Sequence, residues 1–197
     1  MAATAVVLDL DGTIWDSRPW FAEVVAQLSG DPVRQVEREL ESGANIVHVA
    51  KHRGVSKSRL ARAAEERGGA MELYEQVIPT LERLRARGTP LGIVTNLPGW
   101  LAGHLLSATG VGEYAAAIAT PRAGLAAKPK PHGIRWVLAE IGREADAGVW
   151  FVGDGDADAE AAKAALVRFA WASYGYGPEE PDGTDKALLS FDELLGL

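Results

Sequence analysis

Three short apolar runs, Ala5–Leu8, Leu91–Val94 and Val149–Val152, each stop abruptly at polar residues: Asp9-Leu10-Asp11-Gly12-Thr13, Thr95-Asn96 and Gly153-Asp154. Wholly apolar runs of this length are strands buried on both faces, the mark of a parallel sheet. Helix-period segments lie between them: Pro79 to Arg87 stopped by Gly88, residues 98 to 109 (Trp100, Leu101, Leu105 and Ala108 inward, Gly110 as the stop), and residues 132 to 141 around Ile134, Val137, Leu138 and Ile141. Ala116 to Ala119 is a weak strand, Ala159 to Leu166 a helix and Val167 to Ala172 a last strand, before a capping-box pattern at Ser190 to Glu193 opens a short final helix. Alternation of this kind predicts an α/β fold, a doubly wound, Rossmann-like parallel sheet with helices on both faces. Ligands of such a sheet sit at the carboxyl ends of the strands.

Residues 17 to 78 depart from this rhythm. Trp20, Phe21, Val24, Val25 and Leu28 share one helical face. Asp31-Pro32 reads as an N-cap followed by proline at the first helical position, leading into Val33, Val36 and Leu40. Ser56 caps a helix through Leu60 and Ala64, Gly68-Gly69 ends it, and Met71, Tyr74 and Val77 begin another. With no convincing strand, the block reads as a small helical subdomain inserted into a core of residues 1–16 and 79–197.

Because strand ends align along one edge, Asp9, Asp11, Thr95, Asn96 and Asp154 are expected to converge. Two carboxylates as close as Asp9 and Asp11 repel, so a cation or a proton must lie between them at neutral pH. One can hold a metal and act as nucleophile, the other can carry a proton to a leaving oxygen. The bland alternative, a solvated turn, is disfavoured by the apolar strand that precedes the pair. Asp154-Gly-Asp156-Ala-Asp158 resembles the start of a calcium loop, but Ala159 and Ala165 stand where an EF-hand needs Gly and Glu; Ile14 and Trp20 disqualify the Asp9 segment in the same way. Carboxylates from two strands suit magnesium better, with Asp154 as a ligand, Asp158 supporting the site or starting a helix, and Asp156 in the loop. The Thr95 hydroxyl and nearby backbone N–H groups can meet a phosphate oxygen. In Ala-Lys128-Pro-Lys130-Pro the prolines hold a lysine in a stiff, extended segment. Position alone does not choose between Lys128 and Lys130.

Val7-Leu8-Asp9-Leu10-Asp11-Gly12-Thr13, Val94-Thr95-Asn96, Lys128-Pro129 and Val152-Gly153-Asp154-Gly155 with Asp158 resemble, in order, the four motifs of the haloacid dehalogenase superfamily. The tail Trp171 to Gly177 resembles its phosphoglycolate-phosphatase branch. The resemblance implies a magnesium-dependent phosphatase acting on a small phosphate monoester through an aspartyl phosphate. It makes Asp9 the nucleophile, Asp11 the acid/base, and Thr95 and Lys128 the phosphate-binding groups, with Asn96 beside them. Asp9, Asp154 and the main-chain carbonyl of Asp11 become the Mg2+ ligands, and Gly12, Thr13 and Asp158 supporting residues. Residues 17–78 resemble the small helical cap that closes over the site. Trp15 and Leu97 depart from the family's usual small or aliphatic and basic residues at these positions. A 2-haloacid dehalogenase is a competing reading, disfavoured because that reaction needs no acid at Asp11. A non-catalytic phospho-accepting regulator is another, disfavoured by Asp11 and Lys128 occurring together.

The formal net charge of -7 opposes unaided binding to a nucleic acid backbone. The absence of cysteine excludes thiolate chemistry, disulfides and Cys-based zinc sites. No apolar run reaches a membrane span and no leader precedes the first strand, so a cytoplasmic enzyme, monomer or homodimer, is expected. His48 and His52, four apart, lack an evident third ligand. Arg18, Asn45 and Arg53 are candidates for reading the far end of a substrate.

Overall fold

The computed structural model describes residues 3–197. Six strands form one parallel sheet in the order β5-β4-β1-β6-β7-β8, with β1 Ala5–Leu8, β4 Leu91–Val94, β5 Ala117–Ala119, β6 Val149–Gly153, β7 Arg168–Ala172 and β8 Lys186–Leu188. The central strand β1 pairs with β4 on one side (Val7 opposite Gly92) and β6 on the other (Val7 opposite Phe151). After β1 the chain builds the sheet outward through β4 to β5, then crosses back to β6 and builds the other half. This reversal places a crevice at the carboxyl end of β1.

Side-chain alternation along the strands divides the interior into two cores. Val6, Leu8, Leu91, Ile93, Trp150, Val152 and Ala170 face one side. There they meet α5 (Val77–Ala86), α6 (Gly99–Thr109) and a 3-10 helix at Phe191–Gly196. Ala5, Val7, Val94, Val149, Phe151 and Phe169 face the other, against α7 (His132–Glu140) and α8 (Asp156–Ala165). The doubly wound α/β sheet expected from the alternation is therefore present.

Four helices, α1 (Ser17–Ser29), α2 (Val33–Glu41), α3 (Ile46–His52) and α4 (Lys57–Arg67), follow β1. Trp20, Phe21, Val24 and Val25 of α1 are buried as their spacing requires, and these helices share the first core with α5 and α6. Their contact with α6 is close: a Cβ on Gly68, in the 3-10 turn after α4, would stand 2.9 Å from the Ala108 Cβ.

Several local expectations are corrected. The chain enters and leaves the helices through a two-stranded antiparallel ribbon, β2 (Trp15–Asp16) against β3 (Glu72–Leu73), and α5 begins only at Val77. A strand was not expected there, and two-residue strands have no periodicity to reveal them. Pro32, not Asp31, occupies the N-cap of α2, because the Asp31 carboxylate is taken by Arg53 at 2.7 Å. The sheet does not end at β7: β8 extends it, pairing Leu188 with Ala172. Helix α8 starts at Asp156, which is exposed in its first turn rather than in a loop. Ala108 is exposed. The final helix is 3-10, and Glu193 accepts from the Leu189 N–H at 2.9 Å, with Ser190 making no side-chain cap.

Candidate active site

The ends of β1, β4 and β6 bring the sequence-predicted residues together. Asp9 follows β1 directly, its backbone N–H still bonded to the Val152 carbonyl at 2.9 Å, so its side chain projects from the sheet edge. Asp154 follows β6. Asp9, Asp154 and Asp158 each place a carboxylate oxygen within 4.8 Å of the others, and all three are buried. Asp158 belongs to the first turn of α8, where Gly155 N–H donates to its Oδ2 at 3.2 Å. Asp11 turns its side chain elsewhere: its Oδ1 accepts from the Trp15 indole N–H at 3.0 Å.

Lys128, not Lys130, reaches the acids. Its Nζ pairs with Asp9 Oδ1 and lies 2.7 Å from Asp158 Oδ1, while Lys130 is exposed. The Asn96 side chain fixes the lysine's backbone, accepting from Lys128 N–H at 2.9 Å and donating to its carbonyl at 3.2 Å. Thr95 is buried, and its hydroxyl accepts from Leu97 N–H at 3.0 Å, which leaves its proton available to a ligand. Thr13 is fully buried, and its hydroxyl has no protein partner among the described residues.

The electrostatics follow from burial. Removing Asp9 from water pushes its carboxyl well above the ordinary range; Lys128 opposes this, and Asp158, Asp11 and Asp154 reinforce it. Burial raises Asp11 too, against hydrogen bonds from Ser17 and Trp15. Asp154 is pushed up to about 6, by burial first and then by the Asp158 charge. Burial disfavours the Lys128 ammonium, yet Asp158 and Asp9 more than compensate and hold it charged. One buried cation thus faces three buried acids, a set short of positive charge. Hard carboxylate oxygens this close fit a small divalent cation. Glycines shape the cradle: a Cβ on Gly12, whose φ is +79°, would stand 2.2 Å from Asp154 Oδ2, and one on Gly175 would stand 2.1 Å from the Gly12 carbonyl oxygen.

The end of β7 and the segment after it contribute groups that sequence reasoning did not assign. Tyr176 N–H donates to Asp154 Oδ2 at 2.7 Å, and the Trp171 indole N–H to the Asp154 carbonyl at 3.1 Å. The Tyr176 hydroxyl accepts from Ser17 N–H at 2.6 Å and donates to Asp16 Oδ1 at 3.0 Å, so one residue links the acid cluster to the start of α1. Tyr174 donates to the Thr13 carbonyl at 3.0 Å. The Trp171–Gly177 resemblance was the available signal, but it carried no roles.

A cavity of about 250 Å³ opens between this edge and the helices, lined in part by Asp11, Ser17, Arg18, Asn45, Asn96 and Tyr176. The Arg18 guanidinium lies 3.8 Å from the Tyr176 ring centre. Asn45 caps α3, accepting from Val47 N–H at 2.9 Å. Arg53 is committed elsewhere, between Asp31 and Glu39 at 2.7 and 2.8 Å. His48 and His52 stack 6.5 Å apart and join no metal-binding group among the described residues.

A family model of haloacid dehalogenase-like hydrolases matches residues 3–165, which include the acids at the ends of β1 and β6 and the lysine between them; the chain belongs to that family. Among individual proteins, it is 30% identical to the phosphoglycolate phosphatase of Yersinia pseudotuberculosis, over 98% of this chain and 92% of that one. The crystal structure of CbbY from Rhodobacter sphaeroides in complex with phosphate superposes with a TM-score of 0.76 at 20% identity, covering 99% of this chain and all (100%) of that one. A HAD-superfamily subfamily IA hydrolase from Geobacter sulfurreducens gives 0.75 at 21%, over 98% and 96%.

Proposed function

We propose that this protein is a magnesium-dependent phosphatase that hydrolyses a small phosphate monoester through a phosphorylated Asp9. The observation that carries this reading is the convergence of Asp9, Asp154 and Asp158 within 4.8 Å, with the Lys128 ammonium bonded to two of them.

A carboxylate oxygen of Asp9 attacks phosphorus as the bond to the ester oxygen breaks. Asp11 delivers its proton to that oxygen, and the alcohol leaves. Asp11, now ionised, takes a proton from water, whose oxygen attacks the same phosphorus; the bond to Asp9 breaks, and phosphate and the free carboxylate result. Lys128 offsets charge on the transferring group and on Asp9, and the Thr95 hydroxyl and neighbouring N–H groups receive its oxygens. Asp9 and Asp154, with the Asp11 carbonyl, would hold Mg2+, which supplies further neutralisation of phosphoryl charge when bound. Asp158 and Tyr176 N–H keep Lys128 and Asp154 in place, and Gly12 and Thr13 shape the turn.

Residues 17–78 serve in this reading as a cap, joined to the core of residues 1–16 and 79–197 through the β2–β3 ribbon. The cavity beneath is small, and Arg18 is the only cation among its lining residues. Both features suit a compact anionic ester, and phosphoglycolate, after which the Yersinia relative is named, is the first compound to try.

The test is phosphate release from a panel of small esters with and without Mg2+, for wild type and Asp9→Asn. Mg2+-dependent release by wild type and none by the variant, at unchanged thermal stability or better, is expected. Release by Asp9→Asn near the wild-type rate would remove the nucleophile; halide release from a 2-haloacid without metal would favour the dehalogenase reaction instead.

A further inference from the structure

The indole of Trp15 is fully buried at 0% exposure, and its single polar atom ends on a carboxylate. Two other tryptophans with bonded indoles, Trp20 and Trp171, give theirs to main-chain carbonyls of Arg67 and Asp154. A buried indole N–H needs an acceptor, but any carbonyl serves, and phenylalanine would fill much of the same apolar space without the requirement. Backbone geometry also binds the two residues: Gly12 N–H donates to the Trp15 carbonyl at 3.0 Å, closing the loop that carries Asp11, and Trp15 stands opposite Leu73 in the β2–β3 ribbon.

We propose that Trp15 is a positioning residue whose indole N–H holds Asp11 Oδ1, so that the second carboxyl oxygen carries the proton to the leaving group. The inference deepens the phosphatase reading and rests on Asp11 as its acid/base. A carboxyl on a flexible Cβ has several staggered arrangements, and a hydrogen bond from a side chain locked by packing selects one of them. The ribbon that leads into the four helices then also sets where the proton donor points.

The experiment measures single-turnover release of the leaving group from two esters. An alkyl phosphate needs a proton on its departing oxygen, whereas p-nitrophenyl phosphate expels a stable anion without one. In Trp15→Phe, alkyl release falls about 10-fold, a part of the 10²–10⁴-fold typical of general acid catalysis, while p-nitrophenolate release changes less than about twofold and KM for both stays within about twofold. Benzothienylalanine at position 15, which keeps the indole shape and lacks the N–H, gives the same pattern should the smaller ring disturb folding. In an Asp11→Ala background, Trp15→Phe adds no further loss with either ester. Equal losses for both esters, no loss for the alkyl ester, or a further loss in the Asp11→Ala background would each overturn the assignment. Wild-type alkyl release by Asp11→Ala alone would instead sink the acid/base reading beneath it, a distinguishable failure.

Discussion

Replacing Asp154 by Asn is expected to make the metal-free protein more stable while destroying its catalysis. The Asp154 carboxyl is 8% exposed, and its pKa rises from the ordinary 3.8 to about 6 through burial and the neighbouring Asp158 charge. At 1.36 kcal/mol for each pH unit, ionising it in the folded protein costs about 3 kcal/mol. The sign follows from proton counting. Between pH 4 and 6 the folded state holds the proton more tightly than the unfolded chain, so stability falls as pH rises through that window, and the full cost is present above it. An asparagine carries no such cost, and its Oδ1 still accepts from Tyr176 N–H. Urea denaturation in EDTA at pH 4.5 and 7.5 checks this. At pH 7.5 the variant is expected to gain about 2–3 kcal/mol over wild type, roughly 6–12 °C in Tm at the upper figure for a chain this long, with most of the gain gone at pH 4.5. Mg2+ is expected to stabilise wild type by RT ln(1 + [Mg2+]/Kd) and to leave the variant almost unchanged. A metal-free variant less stable than wild type at pH 7.5 would refute the reasoning, because it would mean that the Asp154 charge is already compensated by the protein.

Three further outcomes are expected. Lys128→Met leaves Asp9 and Asp158 facing each other without their shared cation; it lowers stability at pH 7.5 by about 3–5 kcal/mol and abolishes turnover, checked by urea denaturation and phosphate release. Gly175→Ala places a Cβ 2.5 Å from the Asp154 Cβ, so the loop must shift; the Mg2+ concentration for half-maximal activity then rises about 10-fold or more, read from a metal titration. Tyr176→Phe removes the hydroxyl that meets Ser17, Arg18 and Asp16 but keeps the N–H to Asp154; it costs about 1–2 kcal/mol and speeds hydrogen exchange at the Ser17 and Arg18 amides.

Residues tied to unbroken apolar runs were legible from the sequence. Asp9, Thr95 and Asp154 each follow a strand of four or five consecutive buried residues with no polar side chain, so their place at one edge follows from the architecture. Lys128 was narrowed by its prolines but separated from Lys130 only by the resemblance, since both sit in the same stiff segment and only three-dimensional reach distinguishes them. β8 escaped because Lys186-Ala187-Leu188 buries only Leu188, and one apolar residue has no period. The β2–β3 ribbon is shorter still. Tyr176 escaped for another reason: its link to Asp154 is through a main-chain N–H, which every residue but proline possesses. Asp31 looked like a cap because capping preferences are local, while its partner Arg53 lies 22 positions further along.

The seating of Gly68 on Ala108 bears on how the four helices can move. With so little clearance there, any rocking of that block must either slide across the glycine or carry α6 along, and α6 begins four residues after Thr95. The helices therefore rest on α6 as well as joining the core through the ribbon. A bulkier side chain at position 68 would act as a wedge, altering the stroke of the machine far from its acids.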